Sequence, residues 1–137
     1  MSAIPALGQT YTFSANPVAC AAGIAVLDRI DAALLESVIH RGAEMNAAIS
    51  TLDTPGLTVR TVGRGLMMGI IVDDGTSAPG NVTARVVRRM RNAGVLALRG
   101  GTRGNVIKVT QPLTLSGAEA AYAVDVVGSS LSAEARP

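Results

Sequence analysis

The residue types that most often carry covalent or metal chemistry occur once each in this 137-residue chain, as Lys108, His40 and Cys20. One histidine and one cysteine cannot form an internal disulfide or supply the usual nitrogen and sulfur ligands of zinc and iron sites. His40 lies on a predicted helix without a serine or cysteine partner at motif spacing, which favours an ordinary, partly exposed side chain. Cys20 stands among alanines in a predicted helix and is expected to be buried as a small apolar group. We therefore predict neither a catalytic role nor metal binding for His40 and Cys20.

Two other segments carry groups that bind cations or phosphates in some proteins. The carboxylates Asp73 and Asp74 precede Gly75, an order more typical of a tight turn than of a metal site. The segment VGRGLMMG, residues 62–69, has glycines at positions 63, 65 and 69, which is not the GxGxxG spacing of dinucleotide sites. It also lies between two predicted strands, so we reject a nucleotide site there.

Arginines dominate the basic residues. Arg85, Arg88, Arg89 and Arg91 lie on one predicted helix, and the first three share a face. We favour a solvated face over a contact with an anion or an acidic partner. The glycine-rich turn 99–104 adds backbone amides that can approach a phosphate. Aromatic residues make up only 2% of the chain and the net charge is +2, which argues against a nucleic-acid partner.

The composition fits a folded domain built mainly from aliphatic residues. Apolar residues make up 48%, charged residues 16%, and mean hydropathy is +0.36, which excludes intrinsic disorder. The longest apolar stretch, residues 18–27, is shorter than the ~20 residues that a membrane span needs. A signal peptide requires a basic residue before its apolar stretch, and none is present here. We therefore predict a cytoplasmic protein without a membrane contact.

Capping residues and apolar spacing predict four helices. Asn16 and Pro17 begin a helix that ends at Ile30, and Asp31 caps a second. Asn81 is the predicted cap of a third helix that Gly94 ends, and a capping box at residues 116 and 119 begins a fourth, which ends near residue 131. The predicted inner positions of the second and third helices are Leu34, Val38, Met45, Ile49 and Leu52, and Val82, Val86 and Met90. The tail 132–137 is expected to fray.

Four short strands complete the pattern, over residues 58–62, 66–72, 95–98 and 105–110. The second is almost entirely apolar and is expected to be central. The element order is α-α-β-β-α-β-β-α. It predicts an α/β fold, with a short mixed or antiparallel sheet and helices packed on it.

Three segments, in order, resemble signatures of class III (subgroup II) pyridoxal-phosphate-dependent aminotransferases. TFSANPVACAAGIAVLD, residues 12–28, is similar to T-F/Y-x-G/A-N/H-P followed by an alanine-rich helix. GRGLMMGI, residues 63–70, resembles the strand region RGxGLMxGIE. NVIKVTQPLTLS, residues 105–116, resembles N-V-I/L-R/K-x-x-P-P-L-x-x-S before the last helix. The resemblance covers the C-terminal third of these fold type I enzymes. It implies that residues 1–30 end the large cofactor-binding domain and that residues 31–137 form the small C-terminal domain.

The resemblance assigns roles to two residues. Thr12 corresponds to the threonine that binds the phosphate of the cofactor, pyridoxal 5'-phosphate, held by the neighbouring subunit of a homodimer. The alternatives are that Thr12 only opens the turn before Asn16, or that Thr10 takes its place in a shifted register. Lys108 corresponds to an arginine that receives the substrate carboxylate, and a lysine there resembles the alanine–glyoxylate aminotransferase and phosphoethanolamine phospho-lyase branch. The alternative is a strand lysine that extends into solvent.

The family's catalytic lysine and the aspartate that pairs with the cofactor ring lie upstream of the Thr12 motif, and neither has a counterpart here. Transamination needs a lysine as covalent anchor and proton carrier. We therefore expect a C-terminal fragment of an aminotransferase, inactive alone, whose partner is the missing large domain or a full-length homologous subunit. The alternative is a non-catalytic remnant or interaction protein that pairs with full-length relatives. The apolar helix 17–30 predicts that the isolated chain self-associates.

Overall fold

The structure, a computed structural model, describes residues 12–135. These residues divide after Ala32 into two compact units, and each is described by itself. None of the helices within residues 12–135 is both long and apolar enough to cross a lipid bilayer.

The first unit contains helix α1 (Pro17–Leu27). Asn16 caps it as predicted, because its Oδ1 accepts hydrogen bonds from the amides of Val18 and Ala19 at 3.0 and 3.1 Å. The helix ends before the predicted Ile30, since the Ile30 amide donates to the carbonyl of Leu27, three residues back. The residues of α1 are apolar on every side of the helix, and none of them is buried.

Cys20 lies on α1 and is exposed, so the prediction of a buried thiol is wrong. A helix that is apolar on all sides gives no signal for which face is covered.

The second unit has the remaining elements in the predicted order. They are α2 (Ala32–Ser50), β1 (Thr58–Arg64), β2 (Met67–Asp73), α3 (Gly80–Asn92), β3 (Leu98–Gly100), β4 (Val106–Thr110) and α4 (Gly117–Ser132). The strands form one sheet in the order β1-β2-β4-β3, and each neighbouring pair is antiparallel. β2 is therefore an inner strand, as its apolar sequence predicts.

Two local predictions in this unit are wrong. β3 begins at Leu98 rather than Val95, because the Val95 amide donates to the Met90 carbonyl and closes the end of α3. Asn81 is not a cap, since α3 begins at Gly80 after Pro79. Packing fixes this entry: a Cβ at Gly80 would lie 2.6 Å from the carbonyl oxygen of Arg103.

The core of the second unit lies between one face of the sheet and helices α2, α3 and α4. The buried apolar side chains include Met45 and Ile49 of α2, Ile70 and Val72 of β2, Val82, Val86 and Met90 of α3, Ile107 and Val109 of β4, and Val127 and Leu131 of α4. The predicted inner positions of α3 are therefore confirmed. Among those predicted for α2, Met45 and Ile49 are buried, whereas Leu34 and Val38 are half-buried.

The capping box that begins α4 is present as predicted. The Glu119 amide donates to Ser116 Oγ at 3.3 Å, and the Ser116 amide donates to Glu119 Oε2 at 2.8 Å. Hydrogen bonds from the Ser116 hydroxyl and then from its amide lower the pKa of Glu119 below its usual range. The helix that covers the core is thus fixed at its start by sequence-local contacts.

Candidate functional site

Thr12 lies at the start of a turn, residues 12–15, which leads into α1, and it is exposed. The amide of Asn16 donates to the carbonyl of Phe13 at 3.3 Å, which closes the turn. Ala15 has φ +59°, in the left-handed region that few residues other than glycine adopt. That geometry gives a physical reason for the small residue at this position of the motif. The turn presents the Thr12 hydroxyl, a suitable donor for a phosphate oxygen, next to a capped helix start.

Lys108 is exposed in the middle of β4, where its register partners are Gly69 of β2 and Leu98 of β3. A Cβ placed on Gly100 would come within 2.4 Å of Lys108 Cδ. The aliphatic part of the lysine therefore lies across Gly100, and a larger residue there would displace it. Thr12 belongs to the first unit and Lys108 to the second.

Next to Lys108 lies a concave surface of about 660 Å³, which we call the cationic groove. Its charged lining residues are Arg88 and Arg91 of α3, Arg99 of β3 and Lys108 of β4, and none of the lining residues is acidic. The side chains that complete it are Ala84, Val87, Leu96, Ala97, Leu98 and Thr110. The fold thus brings half of the predicted arginine surface beside Lys108. The sequence analysis did not predict this grouping, although residues 88–108 contain six cations and no acidic residue.

The other two arginines of α3 have a structural role. Arg85 Nε donates to Glu134 Oε2 at 2.6 Å, and Arg89 Nε donates to Oε1 at 2.9 Å. The Glu134 side chain is only 8% exposed. Arg85 and Arg89 are 40% and 51% exposed, so the predicted solvated face is only partly present: each is also paired with Glu134. The expected fraying is wrong up to residue 135, because this carboxylate fastens the segment after α4 to α3; residues 136 and 137 lie outside the described residues.

We expect Glu134→Gln to lower the free energy of unfolding by about 1–2 kcal/mol at pH 7, since charge-assisted hydrogen bonds are lost and the half-exposed arginines become solvated. Burial raises the pKa of Glu134, but the hydrogen bonds and charges of Arg85 and Arg89 outweigh it and lower the pKa below 4.5. The stabilisation is therefore complete above pH 4.5 and is lost as pH falls through the folded-state pKa.

Urea unfolding of both proteins at pH 7 and at pH 3 measures this effect. The difference between wild type and variant should shrink at pH 3. A difference that grows on acidification would contradict the assignment. Glu36→Gln, at an exposed position of α2, is the control and should change stability by less than about 0.5 kcal/mol.

The remaining candidate groups have ordinary local roles. Asp73 Oδ1 accepts from the Gly75 amide at 2.9 Å and its Oδ2 from Arg103 at 3.2 Å, which confirms the predicted turn. His40 is exposed on α2 with its Nδ1 3.4 Å from Glu44, as expected for an ordinary helical histidine.

Comparisons with known proteins agree with the motifs. The family model for class-III aminotransferases matches residues 1–131. Acetylornithine aminotransferase 1 of Bordetella bronchiseptica is 38% identical over 119 residues, which are 85% of this chain and 28% of that protein. The 4-aminobutyrate aminotransferase of Mycobacterium tuberculosis is 32% identical over 127 residues, 88% of this chain and 28% of that protein.

A solved structure shows the same likeness in three dimensions. A phospholyase from Arthrobacter in complex with phosphoethanolamine superposes with a TM-score of 0.72 at 32% identity, and the match covers 84% of this chain and 28% of that one. This likeness confirms the predicted fold class. The chain spans 28% of the length of the relatives it matches. With nearly all of its residues matched in sequence and the fold shared, the chain belongs to the class III aminotransferase family.

Proposed function

We propose that this chain is the C-terminal part of a pyridoxal-phosphate-dependent aminotransferase that moves an amino group between an amino acid or amine and a 2-oxo acid. The observation that carries the proposal is the family match over residues 1–131, together with an alignment that covers only 28% of the first relative's length. Two of those relatives are named for acetylornithine and 4-aminobutyrate. We place the protein in the cytoplasm, whose reducing conditions suit the single free cysteine.

Thr12 is the residue of this chain that we assign to the cofactor. When bound, pyridoxal phosphate supplies the carbonyl that accepts the amino group and the electron-withdrawing ring that activates the adjacent carbon. The exposed Thr12 hydroxyl would donate a hydrogen bond to a phosphate oxygen. The turn places the Thr12 backbone close to the start of α1, where Asn16 caps the helix and Ala15 has a left-handed backbone conformation. In this proposal the phosphate belongs to the other subunit of a homodimer.

Lys108 is the residue that we assign to the substrate. Its ammonium group stands on the exposed side of β4 and offers a single positive charge to a carboxylate, without the paired donors of an arginine. Packing against Gly100 restricts its aliphatic stem and thereby the position of the charge. A lysine in this place would hold the carboxylate end of the substrate while leaving its orientation to other groups.

The same lysine cannot also anchor the cofactor. Lys108 is the only lysine of the chain, and as the proposed carboxylate ligand it lies in the strand motif, not in the anchoring motif.

The exposed apolar side chains of α1, among them Val18, Ile24 and Leu27, are suited to burial against further protein. This exposed apolar surface supports the proposal that residues 1–30 end a large domain and that residues 31–137 form the small domain.

We expect the 137-residue chain, incubated with pyridoxal phosphate and then reduced with borohydride, to give no stoichiometric adduct. Only slow labelling of Lys108 or the N-terminal amine should be seen by peptide mass spectrometry. The physical reason is that the chain lacks a lysine at the anchoring position. Rapid, saturable modification of Lys108 would contradict the roles assigned here.

The reading frame upstream of the Met1 codon tests the function itself. We expect it to continue and to encode the aspartate and lysine motifs, and the longer protein should give one adduct per chain and transaminate. In that protein Thr12→Val should raise the half-saturating concentration of pyridoxal phosphate at least tenfold, whereas the neighbouring Thr10→Val, the matched control, should not. An upstream stop codon or an unrelated sequence would overturn the proposal in favour of a non-catalytic remnant.

A further inference from the structure

We propose that the open edge of β1 binds an extended, acidic segment of a partner protein, which adds to the sheet as a further strand antiparallel to β1. β1 is the first strand in the sheet order β1-β2-β4-β3, so one of its sides has no neighbouring strand. Its seven residues contain no proline that would prevent pairing. The inference goes beyond the proposed function, because neither Thr12 nor Lys108 takes part in it.

The strand register shows which backbone groups of β1 point away from the sheet. The Val72 amide donates to the carbonyl of Asn105 at 2.9 Å, so Val72 directs its backbone groups towards β4 and away from β1. Val72 is the register partner of Val59. Because successive residues of an antiparallel strand direct these groups to opposite sides, the N–H and C=O groups of Val59 and Thr61 face the open edge. Within residues 12–135, the backbone of neither residue makes a hydrogen bond outside the β1–β2 ladder.

Helix α2 lies beside this edge and forms a concave surface with it. Thr61 Oγ1 donates a hydrogen bond to Asn46 Oδ1 of the helix. The concavity has a volume of about 260 Å³, and Ile39 and Ala43 lie on its helix side. Ile39 is 67% exposed. Since the side chains of a strand alternate between its two faces, every second side chain of an added strand would point towards this concavity, where an apolar group would cover Ile39.

The other face of β1 determines the charge of the partner. Alternation places Arg60 and Arg64 on the face of the sheet away from the core, and both are exposed. Within residues 12–135 neither of them is in an ion pair, and Asp73, which lines the same surface as Arg60, is bonded to Arg103 at 3.2 Å. Opposite charges directly across two strands stabilise their pairing. The partner strand should therefore alternate acidic residues opposite the arginines with apolar residues towards α2.

The same arginines oppose pairing of β1 with a second copy of this chain. In an antiparallel pair of two β1 strands, Arg60 and Arg64 of both copies would lie on one face of the joined sheet. Like charges across neighbouring strands raise the free energy of such a pair. An acidic strand neutralises these charges, so charge complementarity favours a different chain as the occupant.

Titration of the full 137-residue chain with the fluorescein-labelled peptide Glu-Val-Glu-Val-Glu-Val-Glu, amidated at its C-terminus and followed by fluorescence anisotropy, tests the proposal. We expect saturable binding. In an antiparallel pair the residues opposite Val59 and Thr61 have side chains on the same face as these two, so here they are valines whose N–H groups point to β1. N-methylation of the valines should raise the Kd at least tenfold. N-methylation of the glutamates, the matched control, should change it less than threefold.

Amide hydrogen exchange and a charge reversal locate the bound peptide. The amides of Val59 and Thr61 should exchange rapidly in the free chain and at least tenfold more slowly with saturating peptide, whereas the amide of Arg60, which is bonded to β2, should be protected in both states. Arg60→Glu should raise the Kd at least fivefold. Arg91→Glu, which makes the same charge change at an exposed position of α3, should change it less than twofold.

Four results would overturn the proposal. They are the absence of saturable binding, equal losses from the two sets of N-methyl groups, equal losses from the two charge reversals, and protection of the Val59 and Thr61 amides without peptide in a dimer, which would assign the edge to a second copy. Binding by the 137-residue chain but not by the longer protein would also overturn it, because the remainder of that protein would then cover the edge. None of these measurements depends on transamination, so the inference can fail while the proposed function stands.

Discussion

Ile107→Ala is expected to lower the free energy of unfolding by about 3–4 kcal/mol, because it leaves a cavity at the centre of the sheet. Ile107 is 0% exposed. It lies in β4 between β2 and β3, where its register partners are Ile70, which is also fully buried, and Arg99. Packing from both neighbouring strands limits how far the site can collapse around the smaller side chain. The loss should therefore fall in the middle of the range measured for isoleucine-to-alanine substitutions.

Urea unfolding followed by far-UV circular dichroism measures this effect. Thr110→Ala is the matched control, since Thr110 is an exposed residue of the same strand and its truncation should cost less than about 0.5 kcal/mol. If the alanine variant does not fold, Ile107→Val keeps the prediction testable, with an expected loss of about 0.5–1.5 kcal/mol. A loss below about 1 kcal/mol for Ile107→Ala would show that this residue is not at the centre of the core.

Gly42→Ala is expected to lower the free energy of unfolding by about 2–3 kcal/mol, although alanine is the better helix former by about 1 kcal/mol. Gly42 is buried on α2, where the helix crosses the turn between β1 and β2. A Cβ at this position would lie 2.4 Å from the carbonyl oxygen of Gly65 and 2.6 Å from its Cα. These are backbone atoms, so no side-chain rotation relieves the overlap. The helix or the hairpin has to move.

The matched control is Gly23→Ala on α1, where an added Cβ meets nothing within 4 Å. There the higher helix propensity of alanine acts alone, and the change should be neutral or stabilising by up to about 1 kcal/mol. The same glycine-to-alanine change is therefore expected to lower the free energy of unfolding at Gly42 but not at Gly23. A stabilising Gly42→Ala would refute the close approach of α2 to the hairpin.

Signals within a few residues were enough to predict the framework. Asn16 and Ser116 begin their helices because their side chains bond to amides two or three residues further along. The spacing of Val82, Val86 and Met90 predicted the buried face of α3, since residues three and four apart share one side of a helix. The order of eight elements and the turn after β2 follow from the same kind of information. The motifs around Thr12 and Lys108 likewise predicted the family that the comparisons show.

Contacts between distant residues were not predictable in this way. Glu134 is 49 residues from Arg85, and nothing in the tail SAEA marks it as an anchor. The cap predicted at Asn81 failed because Gly80 packs against the backbone of a hairpin more than twenty residues away. The grouping of Lys108 with three arginines required both the β3–β4 register and the placement of α3 against that edge.

The sequence by itself therefore determined the order of elements, most helix ends, the core positions of α3 and the family. The roles that the motifs imply for Thr12 and Lys108 stay predictions. The tertiary structure alone decided which arginines are tied into an ion pair, which ones line the cationic groove, and which helix surfaces are exposed. The physical reason is the separation along the chain over which each interaction acts. Capping, turn chemistry and hydrophobic periodicity act over three or four residues, whereas charge pairing and close packing depend on distances that exist only after the sheet and helices have assembled.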